Sequence, residues 1–205
     1  MRYLSFFEKL RDFTVFSLAD IRMIDPLFHR RRLNEWQVKG YIRKIVRGYY
    51  MFADIELSET VLFEIANLIY GPSYVSLETA LAYYGLVPES AYGIVSVSTR
   101  KTSKFATGIA VFSYRSMAKR AFFGYTVLER GKTHIKIAEI EKALLDFLYL
   151  RSDMTTADDF ESLRIDRDAF QSKISSEKLG LYAARFGTKQ LEKRLTGLRR
   201  YLDNA

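Results

Sequence analysis

The sequence predicts an α+β protein in two parts. Residues 1–52 are expected to form a winged helix-turn-helix domain, and residues 53–205 a mixed domain with an antiparallel sheet, flanking helices and a helical tail. Three observations lead there. Within residues 25–50, DPLFHRRRLNEWQVKGYIRKIVRGYY, helical spacing gives way to two runs of β-branched and aromatic residues separated by Arg47-Gly48, a two-residue hairpin signal. Beyond residue 93 the apolar pattern switches to the strand period, and at 139 it returns to the helical one. Charge is also uneven: residues 1–52 hold eleven Lys/Arg against five Asp/Glu, a net +6, whereas the other 153 residues hold 21 against 19, a net +2. The positive excess that attracts polyanions is therefore concentrated in the first quarter of the chain.

Taken in order, residues 4–11 read as a short helix with Leu4, Phe7 and Leu10 on one side, followed by an extended link at Thr14, Val15 and Phe16. Ser17 and Asp20 have the spacing of a capping box, in which each side chain satisfies the other's backbone donor, and a helix to about Ile24 follows. Asp25 and Pro26 suit the cap and first position of a further helix. On that helix Leu33, Trp36 and Gly40 share a stripe with His29, which is read as a packed residue, while Arg31, Asn34 and Glu35 point away, flanked by Arg30 and Arg32. Gly40 ends the helix, and the hairpin over 41–52 forms the wing.

The polar stretch 54–58 marks the domain boundary. Ser58 can cap a helix carrying Val61, Leu62, Ile65, Leu68 and Ile69, which Gly71-Pro72 ends, and Ser76 begins a second that closes at Gly85. Residues 94–98, 109–114, 124–129 and 134–137 read as successive antiparallel strands with turns at Thr107-Gly108 and Gly131-Lys132. Residues 139–150 form a helix with Ile140, Ala143, Leu144, Phe147 and Leu148 on one face. After a polar stretch at 151–159 comes a helical tail, broken at Gly187, whose last helix sets Leu191, Leu195, Leu198 and Leu202 opposite Lys189, Lys193, Arg194, Arg199 and Arg200.

These patterns point to DNA. Arginine pairs bidentately with guanine and asparagine with adenine, so Arg31 and Asn34 are the candidate base readers. Arg30, Arg32, Arg43, Lys44 and Arg47 are expected on phosphates, where they set register and steer association. A second feature is the absence of any acidic residue from 90 to 128, a span that contains Arg100, Lys101, Lys104, Arg115, Lys119 and Arg120. It predicts a positive surface on or beside the sheet, suited to flanking DNA, RNA or an acidic partner, with plain solvated charges as the alternative.

Other chemistries lack their residues. Two histidines and no cysteine argue against a metal site, and no nucleophile elbow, phosphate-binding loop or dinucleotide fingerprint is present, so neither a cofactor nor catalysis is expected. No apolar run approaches the length of a membrane span, and a cytoplasmic location with no membrane partner is the expectation.

Three segments, YVSLETALAYYGLVPE at 74–89, IAEIEKALLDFLYL at 137–150 and the wing GYIRKIVRGYY at 40–50, resemble the AbiEi-type antitoxins of bacterial type IV toxin-antitoxin systems, also called abortive infection systems and active in phage defence. The likeness covers residues 4–150. It implies an N-terminal winged helix that binds inverted repeats in its own promoter as an autorepressor. It further implies a C-terminal domain needed for antitoxicity, and a nucleotidyltransferase-like toxin neutralised without a stable complex. The basic residues from Arg100 to Arg120 are then the candidate antitoxicity surface. The chain after 153 matches no pattern of that family. The main alternative is a winged-helix transcription regulator whose second domain senses a ligand or a protein, and a nucleic-acid-modifying enzyme is a third.

Overall fold

The computed structural model describes residues 2–88, 93–130 and 133–204, apart from the side chains of Arg130 and Thr133. Among these residues the chain is α+β, with ten α-helices, a three-stranded antiparallel sheet and a six-stranded mixed sheet.

The first unit begins with α1, Tyr3–Leu10. Phe6 and Leu10 are fully buried, with Tyr3 and Phe7 packed beside them, and Leu4 stands 74% exposed. Leu4 was expected inside, but residues two apart lie about 200° apart on a helix, so Phe6 and Leu4 cannot both face the core. Phe6 takes that place because its ring meets Phe16, Trp36 and Phe52 at 4.4–5.4 Å. Next come β1, Phe16–Ser17, and α2, Leu18–Ile24. The capping box is formed: the Asp20 carboxylate accepts from Ser17 N–H and Oγ at 2.7 Å, and Ser17 Oγ accepts from Asp20 N–H at 3.3 Å.

Helix α3, Arg31–Val38, starts five residues later than the Asp25-Pro26 pattern implies. Asp25 instead closes α2, and residues 25–28 turn, with Phe28 N–H donating to Asp25 O at 2.9 Å. Proline suits the second position of such a turn as well as it suits a first helical position. Burial decides between them, because Phe28 is only 4% exposed and lies against Phe6 and Trp36. Leu33 and Trp36 are buried as expected, whereas His29, just after the turn, is exposed rather than packed. Gly40 ends the helix at φ +70°, with its N–H on Gln37 O and that of Tyr41 on Trp36 O, the paired bonds of a glycine C-terminal cap.

Strands β2, Ile42–Val46, and β3, Tyr49–Phe52, are joined at Arg47-Gly48, with Gly48 at φ +95°. The sheet order is β1-β3-β2, with a register shift between Lys44 and Val46. One face closes a core of Phe6, Leu10, Phe16, Ile21, Phe28, Leu33, Trp36, Ile42, Tyr50 and Phe52. From the same segment Val15, Ile45 and Met51 join the larger core instead, and Ile55 packs against both. The two cores thus meet along the back of the small sheet.

The second unit contains α4, Glu59–Ile69; β4, Ser73–Val75; α5, Leu77–Tyr83; β5, Ile94–Ser98; β6, Ser103–Ala106; and β7, Val111–Ser116. After a 3-10 turn at Lys119–Ala121 come β8, Tyr125–Arg130; β9, Thr133–Ala138; and α6, Ile140–Leu150. The strand order β6-β7-β5-β4-β9-β8 corrects the expected antiparallel series. β5 and β7 pair in parallel from Ile94↔Phe112 to Ser98↔Ser116, and β4 meets β9 in parallel at Val75↔Ile137. The parallel pair arises because the chain first runs along the edge as β6 and then turns back between β6 and β5. The Thr107 hydroxyl builds that turn, accepting from Ile109 and Ala110 N–H at 3.2 and 3.1 Å, so β7 starts at Val111 and not at 109. The expected turn at Gly131-Lys132 lies outside the described residues. Helix α4 covers one face of the sheet, where Tyr114 OH donates to Ala66 O at 2.7 Å, and α6 lies behind Tyr74 on the other.

The tail folds into α7, Ala157–Ser162; α8, Arg167–Lys173; α9, Ser176–Phe186; and α10, Lys189–Asn204. Leu191, Leu195, Leu198 and Leu202 are buried in the larger core, each worth roughly 1.5–3 kcal/mol in transfer terms. Arg194 Nη1 bonds Leu148 O at 3.0 Å and Lys173 Nζ bonds Tyr84 O at 2.7 Å, so the tail is part of the second unit. Among the described residues no helix is long and apolar enough to cross a membrane.

Candidate nucleic-acid interface

Helix α3 turns Leu33 and Trp36 inward, which leaves Arg31, Asn34, Glu35 and Val38 as its outward stripe. Arg31 Nε lies 3.9 Å from Glu35 Oε1, with the two side chains 85% and 56% exposed. A solvated pair at that distance holds its partners weakly, so Arg31 can exchange Glu35 for another acceptor at small cost. Asn34 Oδ1 is 3.5 Å from Gln37 Nε2, also a loose contact on an exposed face.

Arg30 is exposed at the N-cap, and Arg31 and half-buried Arg32 occupy the first turn. The helix has no acidic residue in its first turn and no side-chain cap. Three consecutive arginines therefore stand at the end of a helix that already carries partial positive charge, an arrangement that disfavours the isolated helix. Lys44 on β2 and Arg47 at the hairpin tip are exposed. Arg43 differs: it is half-buried, and Nη2 donates to Ile55 O at 2.8 Å, bracing the chain that leaves β3.

The second basic group draws on three places. Lys104 pairs with Ser113, and Arg115 lies two residues beyond Ser113 on the same strand, so both sit on the sheet face opposite Phe105 and Tyr114. Arg100 and Lys101 lie in the turn before β6, where the Arg100 guanidinium stacks 4.1 Å from the Tyr70 ring centre and Nη1 donates to Gly71 O at 3.3 Å. Tyr70 OH in turn donates to Lys101 O at 2.8 Å. Lys119 and Arg120 are on the 3-10 turn. All six side chains are exposed. Arg100 partly braces its own loop, while Lys101, Lys104, Arg115, Lys119 and Arg120 project from a surface without carboxylates over 93–128.

A buried polar network was not visible in the sequence reading. Lys142 and Asp146, one helical turn apart on α6, are both fully buried and ion-paired. The Asp146 carboxylate also accepts from Tyr74 OH at 2.9 Å and Ser76 Oγ at 2.8 Å, and Lys142 Nζ reaches Tyr74 Oη at 2.8 Å. The rings of Phe186, Phe123 and Tyr74 surround the ammonium at 4.7–5.3 Å. Burial pushes Asp146 up and Lys142 down, against their mutual attraction, and burial also pushes the Tyr74 phenol up. The network ties β4 to α6. Its one sequence signal is the i,i+4 Lys/Asp spacing, on a helix whose periodicity predicts burial of the apolar face alone. In fact every residue from 140 to 148 is buried.

His29 and His134 are both exposed, and among the described residues no three His, Asp or Glu side chains cluster closely enough for a metal ion. No protein-family model matches this chain, and no curated protein matches it in sequence.

Proposed function

We propose that residues 1–52 are a winged helix-turn-helix that binds double-stranded DNA. We further propose that the protein is a DNA-binding antitoxin and transcriptional autorepressor of a toxin-antitoxin operon, opposing a nucleotidyltransferase-like toxin. The observation that carries the DNA reading is the exposure of Arg30 at the N-cap of α3 and of Arg31 and Asn34 on it, together with Lys44 and Arg47 on the adjoining hairpin. The order α1-β1-α2-α3-β2-β3 with strands arranged β1-β3-β2 supports it, because in that arrangement a helix and a hairpin flank one another at the edge of a three-helix unit. In this reading Arg31 and Asn34 meet base edges, while Arg30, Arg32, Lys44 and Arg47 meet phosphates. Arg43 contributes through the geometry of the hairpin as much as through charge. The antitoxin half rests on the resemblance of residues 4–150, and the surface from Lys101 to Arg120 is its candidate effector. No catalysis or cofactor is assigned, and the protein works in the cytoplasm on its own promoter.

The test is a titration of the full chain against its own upstream DNA and a scrambled duplex at two salt concentrations. Charge attraction falls with salt on both, whereas base readout preserves a gap between them. Arg31→Ala is expected to cost ~1–3 kcal/mol on the upstream DNA and to narrow that gap, and Arg47→Ala to weaken both duplexes alike. Equal losses on both duplexes for both variants would refute the assignment. A second reading, a winged-helix regulator whose second unit senses a ligand, is favoured by the trough along α10 described next.

A further inference from the structure

A trough runs along α10 on its α7 side. One end, about 550 Å³, is lined by Lys193, Arg194 and Arg200 with Thr155 and Thr196. The adjoining end, about 350 Å³, is lined by Phe160, Tyr201 and Asn204. Thr155, Gly197 and Arg200 line both ends, and neither has a carboxylate in its lining.

The helix makes this shape. Residues 193, 197, 200, 201 and 204 recur at helical spacing and form one stripe about 16 Å long at 1.5 Å per residue, while Leu191, Leu195, Leu198 and Leu202 face the core. Gly197, at mid-stripe, lets the Phe160 ring pack close against the helix: a Cβ there would stand 3.1 Å from Cε2 of Phe160. Arg194 is already held in place, with Nη1 on Leu148 O at 3.0 Å and Nη2 on Ser152 O at 3.4 Å. Lys193 and Arg200 are exposed, and Tyr201 is half-buried, 6.3 Å from the Phe160 ring centre. Cations thus occupy one end, and the half-buried Tyr201 ring, with the Arg167 guanidinium 5.9 Å from its centre, and the exposed Asn204 carboxamide occupy the other.

We propose that this trough binds a nucleoside phosphate. Lys193, Arg194 and Arg200 take the phosphate oxygens, for which guanidinium groups offer paired donors. The base lies against Tyr201, and the Asn204 amide, which both donates and accepts, meets its edge. With no carboxylate in the lining, protein cations and not a divalent ion neutralise the phosphates, so binding is indifferent to chelator. The site is independent of the DNA reading, because none of these residues belongs to the first unit.

Calorimetry on the full chain in EDTA, with ATP and pyrophosphate as separate probes, tests this. ATP is expected to bind more tightly than pyrophosphate. Lys193→Glu with Arg200→Glu, checked for an unchanged melting temperature, is expected to weaken ATP at least tenfold. Should that pair unfold the protein, Arg200→Gln alone is expected to weaken it severalfold. Tyr201→Leu is expected to weaken ATP severalfold and leave pyrophosphate unchanged. No heat at millimolar ATP, equal affinity for the two probes, or variants that bind ATP like the parent would each overturn the proposal, whatever the protein does with DNA.

Discussion

Replacing Asp146 by Ala tests the buried polar network of the second unit. The carboxylate is fully buried and is the acceptor for Lys142 Nζ, Tyr74 OH and Ser76 Oγ, so its removal strands an ammonium and two hydroxyls where water does not reach. Taking one partner from a buried pair costs ~3–5 kcal/mol, because the remaining charge keeps its desolvation penalty and loses its attraction. The phenol and the ammonium can still bond each other, which holds the loss toward the lower part of that range. A domain has only ~5–15 kcal/mol to lose, so the variant should unfold at clearly lower urea. The companion is Lys142→Met with Asp146→Leu: it removes both charges at similar volume and leaves only the two hydroxyls to satisfy, so it should recover most of the loss. Urea melts followed by far-UV circular dichroism measure both. A single variant within 1 kcal/mol of the parent, or a double variant as unstable as the single, would refute the claim that stranded charge sets the cost.

Three further outcomes are expected. Phe28→Ala should cost roughly 3–5 kcal/mol, the range for a buried phenylalanine, and should also abolish sequence preference on DNA, since the side chain pins the turn that starts α3; a destabilised variant with unchanged preference would separate the two roles. Tyr84 and Tyr182 are pushed up to about 12, Tyr84 mainly by burial and Tyr182 by burial and its bond to Glu139. From pH 10 to 12 the unfolded chain therefore loses protons that the folded one keeps, and stability should fall with rising pH across that window; thermal melts of Tyr182→Phe should show a shallower fall. On the antitoxin reading, reversing Lys101 and Lys104 to Glu should abolish protection in cells that co-express a nucleotidyltransferase-like toxin while leaving binding to the upstream DNA intact, and full protection would end the case for that surface.

How much of this was legible in the sequence depended on whether a residue's environment is set locally. Ser17 with Asp20, Gly40, Arg47-Gly48 and the leucines of α10 were all readable, because a cap, a helix exit, a hairpin turn and a helical stripe are decided by neighbours within a turn or two. Pro26 was misread because local rules allow it in either a turn or a first helical position. Only the tertiary burial of Phe28, under Phe6 and Trp36, distinguishes them. The same limit explains the sheet. SYV at β4 is three residues with no alternation to detect, and that β7 pairs with β5 in parallel rather than antiparallel is fixed by the detour through β6, a non-local event. Helix α6 is the sharpest case. Its polar side looked solvent-facing because a soluble helix usually has such a side, yet α9 and the sheet cover it. Lys142 is tolerated there because Asp146 and Tyr74 Oη bond its ammonium, while Tyr74 and Ser76, about 70 residues away in sequence, donate to the Asp146 carboxylate. A single sequence offers no register for that kind of pairing, whereas the exposed cations of α3 needed none, since solvent is the environment the pattern already assumed. The exposed cations proposed to face DNA are therefore legible in the sequence, whereas the trough of the tail, which depends on α7 meeting α10, is not.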